Sequence, residues 1–141
     1  MDEEVIRTKI EALIRCVLRI ESQKVSSLEE LESNLDKQEI IILNLQRAVQ
    51  ICVDIGNHML LDFCTPTPVT MSETFKYLAE NKIIEKKNAI DLSHAVGFRN
   101  IAVHQYEKID CKIIFAIIRD HLGDFKKFAN AIENFSGTTL W

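Results

Sequence analysis

Arg99, Asn100, His104 and Tyr106 bring a permanent cation, an amide, an imidazole and a phenol within eight residues of an otherwise apolar, helix-prone stretch. Arginine presents a planar fork of donors that matches phosphate oxygens. Histidine is the one side chain whose ordinary pKa lets it give or take a proton near neutrality. Together such groups can hold a phosphodiester, move a proton and offset the charge that develops in the transition state, without a metal ion. RNA carries a 2′-hydroxyl beside each phosphate, so this chemistry points to RNA.

Spacing limits how these side chains can cooperate. At about 100° per residue, Asn100 and His104 share one helix face. Arg99 and Tyr106 nearly eclipse each other on a helix that continues that far, whereas Arg99 and His104 diverge by about 140°. A single straight helix therefore does not aim both at one phosphate. Either the helix ends near His104, or two copies of the motif meet across a dimer.

The rest of the chain must supply the scaffold. At 141 residues, with 47% hydrophobic residues but only four Gly and two Pro, it suits one domain of long helices rather than a turn-rich β fold. No apolar run reaches the ~18–20 residues of a membrane span, and the acidic start Met-Asp-Glu-Glu lacks the basic opening of a signal peptide. A cytoplasmic location is expected. The four cysteines (Cys16, Cys52, Cys64, Cys111) follow no disulfide or zinc spacing and read as reduced, buried small hydrophobes.

The formal net charge is −4, yet residues 76–112, which hold the cluster, carry seven bases against five acids. That fits a local phosphate site but not a broad basic face. No Asp/Glu/His ligand set is evident, so neither a metal nor a cofactor is expected.

Periodicity predicts a wide-striped amphipathic helix over 2–23, a short helix over Leu28, Leu31 and Leu35 behind a capping box in 26–30, and a long helix over 37–63 opened by Asp36. Thr65-Pro66-Thr67-Pro68 breaks the chain. Thr70 and Glu73 cap a short helix ending near Asn81; further helices run from Lys86 into the motif and from Asp110 to Asn134. The expected fold is all-α, an antiparallel four-helix bundle with additional short helices. Residues 1–135 form the domain and 136–141 a frayed tail. Along the long helix Gln46, Gln50, Asp54 and His58 recur every four residues. That stripe is either a solvated face or a set of groups, Asp54 or a Gln among them, that orients the motif's Arg or His from a neighbouring helix. His94 and His121 show no partner pattern.

The string Gly97-Phe98-Arg99-Asn100-Ile101-Ala102-Val103-His104-Gln105-Tyr106 resembles the R-x4-H motif of HEPN domains, with a polar residue after the Arg and an H-x-Y extension. With Leu45–Ala48, Asp54–His58 and Phe75–Ile84, the chain resembles HepT-type toxins, partners of MntA-like minimal nucleotidyltransferase antitoxins, over residues 5–130. The resemblance implies a toxin of a type VII HEPN/MNT toxin–antitoxin system. It implies a homodimeric helical bundle in which two motifs form one composite, metal-independent endoribonuclease cleft. His104 would transfer the proton, Arg99 would hold the scissile phosphate and Asn100 would orient either. Cleavage of an RNA such as tRNA or mRNA would run through the 2′-hydroxyl to a cyclic phosphate. Tyr106, in the H-x-Y position, would be the hydroxyl that the antitoxin adenylylates. The alternative is a non-catalytic HEPN module that binds nucleotides or partners a nucleotidyltransferase.

Overall fold

A computed structural model describes residues 2–137; among these, seven α-helices and one short 3-10 turn occur and no strand. The helices are α1 (Glu3–Glu21), α2 (Leu28–Glu32), α3 (Leu35–Leu60), α4 (Met71–Glu80), α5 (Lys86–His104), α6 (Cys111–Asp120) and α7 (Leu122–Ser136), with the 3-10 turn at Tyr106–Lys108. The four longest, α1, α3, α5 and α7, pack as a ring in which each touches the next, and α4 lies along α3 and α5. The expected helical bundle is thus the fold of the chain.

Its core follows from spacing. Ile6, Ile10, Leu13, Val17 and Ile20 on α1 recur every three or four residues and are all buried. They face the same pattern on α3, where Ile41, Leu45, Ala48, Cys52, Ile55 and Met59 are buried. Phe75 of α4 meets Phe128 of α7 edge-on, with ring centroids 5.9 Å apart, which closes the bundle across the ring. Gly56 sits where α3 meets α4: a Cβ there would come within 2.5 Å of Thr74 Cγ2 and 2.9 Å of Leu78 Cδ1.

The helix starts depend on side-chain caps that accept otherwise unpartnered N–H groups. Asp2 accepts from the backbones of Glu4 and Val5. Thr70 and Glu73 form the full capping box expected of them. Ser27 accepts from Glu30 N–H, but the Glu30 carboxylate returns to Ser26, one residue before the cap, so the box over 26–30 is split.

Four expectations need correction. Asn34, not Asp36, caps α3, accepting from Lys37 N–H at 3.1 Å, so the helix begins at Leu35 and ends at Leu60 rather than covering 37–63. Leu35 consequently belongs to α3, where it is exposed, and not to the short α2. The last helix is broken at His121, whose carbonyl takes Asp124 N–H and whose ring lies 3.0 Å from the Asp124 carboxylate. The break lets α6 pack on α2 while Leu122, Phe125, Phe128 and Ile132 of α7 reach the core. It also gives His121 a partner that its spacing did not suggest. Finally, α7 continues through Ser136 to Gly137, whose φ of +79° is the left-handed cap geometry that glycine favours. Ser136 and Gly137 thus complete the end of α7; the remainder of the expected tail, 138–141, lies outside the described residues.

All four cysteines are free. Cys16 and Cys52 are buried as expected, and burial pushes both thiols up. Cys64, in the Pro-containing connection after α3, is exposed and does not match that reading. No helix among the described residues is long and apolar enough to cross a membrane.

Candidate active site

The motif occupies the last two turns of α5 and the turn that follows. On α5 the buried positions Ala89, Leu92 and Val96 lead, at the same spacing, to residue 99. Arg99 therefore stands at the edge of the core-facing stripe and is half-buried. Its guanidinium points to α3 and donates to Gln50 Oε1 at 3.3 Å, with a longer contact of 3.4 Å to the neighbouring Asn100 Oδ1. A chain of polar contacts continues along α3. Gln50 Nε2 donates to Asp54 Oδ1 at 2.9 Å, and the other Asp54 oxygen lies 3.9 Å from Lys9 Nζ on α1.

The polarity of this chain has a physical cause. A carboxylate accepts, so Asp54 takes the amino side of the Gln50 amide and leaves the carbonyl for Arg99, whose guanidinium can only donate. The network thus fixes which way Gln50 points. Gln50 and Asp54 are half-buried rather than fully solvated, so these members of the stripe are not a plain solvent face. The stripe does not act as one unit. His58 Nε2 instead accepts from Asp2 N–H at 3.4 Å at the start of α1, away from the motif. The i, i+4 spacing flagged Gln50 and Asp54, but it could not separate them from Gln46 and His58.

His104 is the final residue of α5 and is exposed. Gln105, at φ −140° and ψ 48°, leaves the helical region and donates its N–H back to Ile101 O at 2.8 Å. The chain turns through Tyr106–Lys108, and Asp110 starts α6 by accepting from Lys112 N–H at 2.8 Å. So the helix does end at His104, one of the two alternatives the spacing left open. Tyr106 is off the helix, 47% exposed, and does not eclipse Arg99. Yet Arg99 and His104 remain on one straight helix, one turned toward α3 and the other in solvent. Among the described residues no hydrogen bond joins Arg99 to His104 or Tyr106. No three His, Cys, Asp or Glu side chains among the described residues come together as a metal-ligand set. The exposed end of α5 also carries apolar side chains: Ile101 and Val103 are 39% and 44% exposed.

The chain as a whole is similar to known proteins in sequence and fold. The family model described as Ribonuclease HepT-like matches residues 6–132. A relative from Shewanella oneidensis, the mRNA nuclease HepT, is 33% identical over 130 residues, covering 92% of this chain and 97% of the relative. The tRNA nuclease HepT of Aphanizomenon flos-aquae is 26% identical, covering 93% of this chain and 89% of its own. Among solved structures, the tri-AMPylated Shewanella oneidensis HEPN toxin in complex with MNT antitoxin superposes with a TM-score of 0.86 at 33% identity, covering 95% of this chain and 99% of that one.

Proposed function

The chain belongs to the HepT-like family, and on that footing we propose that it is the toxin of a toxin–antitoxin pair, a metal-independent endoribonuclease whose active site is shared between two copies of the motif. The observation that carries this reading is the division of labour along α5. Arg99 is half-buried and anchored to Gln50, whereas His104 stands free at the helix end, facing away from it. An anchored guanidinium is preorganised to hold a phosphate, and an unencumbered imidazole is available to move a proton. Because the two diverge on one helix, a second subunit supplies the missing half by placing its His104 near this Arg99. The exposed Ile101 and Val103 beside the motif suit such a homodimer contact.

In the reaction, the ribose 2′-oxygen attacks the adjacent phosphorus and the bond to the 5′-oxygen breaks. The products are a 2′,3′-cyclic phosphate and a 5′-hydroxyl. His104 takes the 2′-hydroxyl proton or delivers one to the departing oxygen, while Arg99 offsets the charge on the phosphoryl oxygens. Asn100 and the Gln50–Asp54 chain are positioning groups: they touch Arg99 or its anchor and set where its fork points.

Tyr106 is the regulatory residue. Its exposed hydroxyl, two residues beyond His104, is open to an MntA-like nucleotidyltransferase antitoxin. The phenolic oxygen would attack the α-phosphorus of ATP, losing its proton and releasing pyrophosphate. The attached AMP adds bulk and negative charge beside the cleft and competes with RNA for Arg99, so inactivation needs no refolding. A solved Shewanella relative that is AMPylated and bound to its antitoxin supports this reading.

The decisive test is cleavage of RNA by the purified protein in EDTA, with cyclic phosphate ends mapped. Activity should fall about 10²–10⁴-fold in His104→Ala. RNA binding without turnover in the parent protein would instead identify a non-catalytic HEPN module, and full activity of His104→Ala would remove that residue from the chemistry. For regulation, antitoxin and ATP should modify the parent but not Tyr106→Phe; equal modification of both would clear Tyr106.

A further inference from the structure

Between α1 and the N-terminal half of α3 runs an open groove of about 920 Å³. Arg15 and Arg19 border it from α1, Arg47 from α3, and Gln50, the residue that anchors Arg99, lies at one end. Its lining contains no Asp or Glu. Among the described residues none of the three arginines is paired with a carboxylate. On a chain of net charge −4 this is a local concentration of unneutralised cation. Arg47 and Arg15 both approach Cys16, another residue of the lining: burial pushes its thiol up, and the charges of the two arginines only partly offset that. Leu18 and Leu43, 54% and 43% exposed, supply apolar surface in the same groove.

We infer that this groove is the path of the RNA strand next to the scissile phosphate, with Arg47, Arg15 and Arg19 gripping successive backbone phosphates. The assignment rests on the reading of Arg99 as the phosphate-binding residue. Three features make the groove fit a single strand. It joins Arg99 through one side chain, because Arg47 precedes Gln50 by about one helical turn. From Gln50 to Ile40 it follows α3 for about 15 Å, a length that holds a few nucleotides rather than one. And it sets arginine forks, which match backbone phosphates, beside the exposed apolar surface of Leu18 and Leu43, against which unpaired bases can pack. A carboxylate-rich protein partner would use the forks but would not need continuity with Arg99.

The experiment measures binding of a fluorescent, mixed-sequence single-stranded RNA to the cleavage-deficient His104→Ala protein across a salt series. It compares that protein with the same protein carrying Arg19→Gln and Arg47→Gln. A control carries Lys86→Gln and Lys127→Gln, an equal charge loss at exposed sites outside the groove. Each phosphate contact contributes about 0.7 to the slope of log affinity against log salt for single strands. The groove pair should therefore weaken binding and make the slope shallower by about 1.4, while the lysine pair leaves the slope unchanged. Equal effects of the two pairs, or none from either, would overturn the path. So would a groove pair that shifts the sedimentation mass without changing the salt slope, which would make the groove a contact between copies of the chain. If the arginines govern RNA binding but the parent protein cleaves nothing, the path stands and the nuclease reading falls.

Discussion

The α1–α3 pair and the end of α5 are built on opposite principles. Along α1 and α3 one apolar stripe recurs every three or four positions and packs into the core, while Leu18, Leu35 and Leu43 stay outside it. At the end of α5 the same spacing delivers Arg99 to the core edge, leaves Ile101 and Val103 exposed, and stops the helix at a solvent-facing His104. The first region buries a continuous apolar stripe; the second brings a cation to the core edge and leaves apolar side chains beside it in solvent. Stability resides in the first region. On the proposed function, chemistry resides in the second, where a helix end leaves His104 without a partner among the described residues. Substitutions should therefore sort cleanly: motif changes should cost activity and not stability, and core changes the reverse.

The largest expected effects test each half of that contrast. His104→Ala should lower RNA cleavage about 10²–10⁴-fold, while the exposed position predicts a stability change within about 0.5 kcal/mol in a denaturant titration. Leu13→Ala, at a fully buried position on α1, should cost about 2–5 kcal/mol in the same titration, and its kcat under conditions where it stays folded should remain near the parent's. A motif variant that unfolds the chain, or a core variant that abolishes activity while folded, would dissolve the distinction.

Gly56→Ala comes next. The added methyl meets Thr74 and Leu78 on α4, and Leu78 is fully buried with little room to give. Overpacking of this kind costs about 1–3 kcal/mol. A lowered thermal midpoint would confirm that glycine here sets the α3–α4 approach. An unchanged or raised midpoint would mean that the alanine's helix propensity outweighs the contact.

Much of this was readable in the sequence, and the failures are instructive. Helices with a strong apolar period, such as α1 and α3, emerged within a few residues of their ends, and Thr70 with Glu73 marked α4 correctly. The start of α3 was misplaced because Asn34, two residues before Asp36, is the residue that leaves the helical region and caps it, and capping depends on that and not on residue type alone. The break at His121 was hidden because the apolar pattern is nearly continuous across it. At the site, residue types identified the cluster, but only packing shows that Gln50 is what Arg99 touches. The arginine groove was invisible for a different reason. Charge counted along the chain gives residues 1–40 ten acids and six bases, yet Arg15 and Arg19 share one face of α1 and meet Arg47 from another helix.

A smaller effect probes the link between scaffold and site. Asp54→Asn keeps shape but gains an amide donor, so the Gln50 amide is no longer held with its carbonyl toward Arg99. We expect about a tenfold loss in kcat/KM from a misaimed guanidinium, in line with the net value of one charge-assisted hydrogen bond. Rescue by Asp54→Glu would support a positioning role. Full activity of Asp54→Asn would show that Arg99 needs no help from α3.

The smallest expected effect lies on the scaffold side and depends on pH. Glu30 of α2 accepts from Lys37 Nζ at 2.5 Å and from both the backbone and the hydroxyl of Ser26, so it ties α2 to the first turn of α3. Those bonds, led by Lys37, hold its carboxyl down from 4.5 to about 2. A depressed carboxyl stabilises the folded state fully above its unfolded value, and the stabilisation fades as pH falls toward the folded one. Thermal midpoints of the parent and Glu30→Gln should therefore differ at neutral pH, and the gap should close between about pH 4.5 and 2. Because the pair is solvent-accessible, the gap should also shrink in high salt. A gap that stays constant down to pH 2 would mean that Glu30 acts through shape and neutral hydrogen bonding.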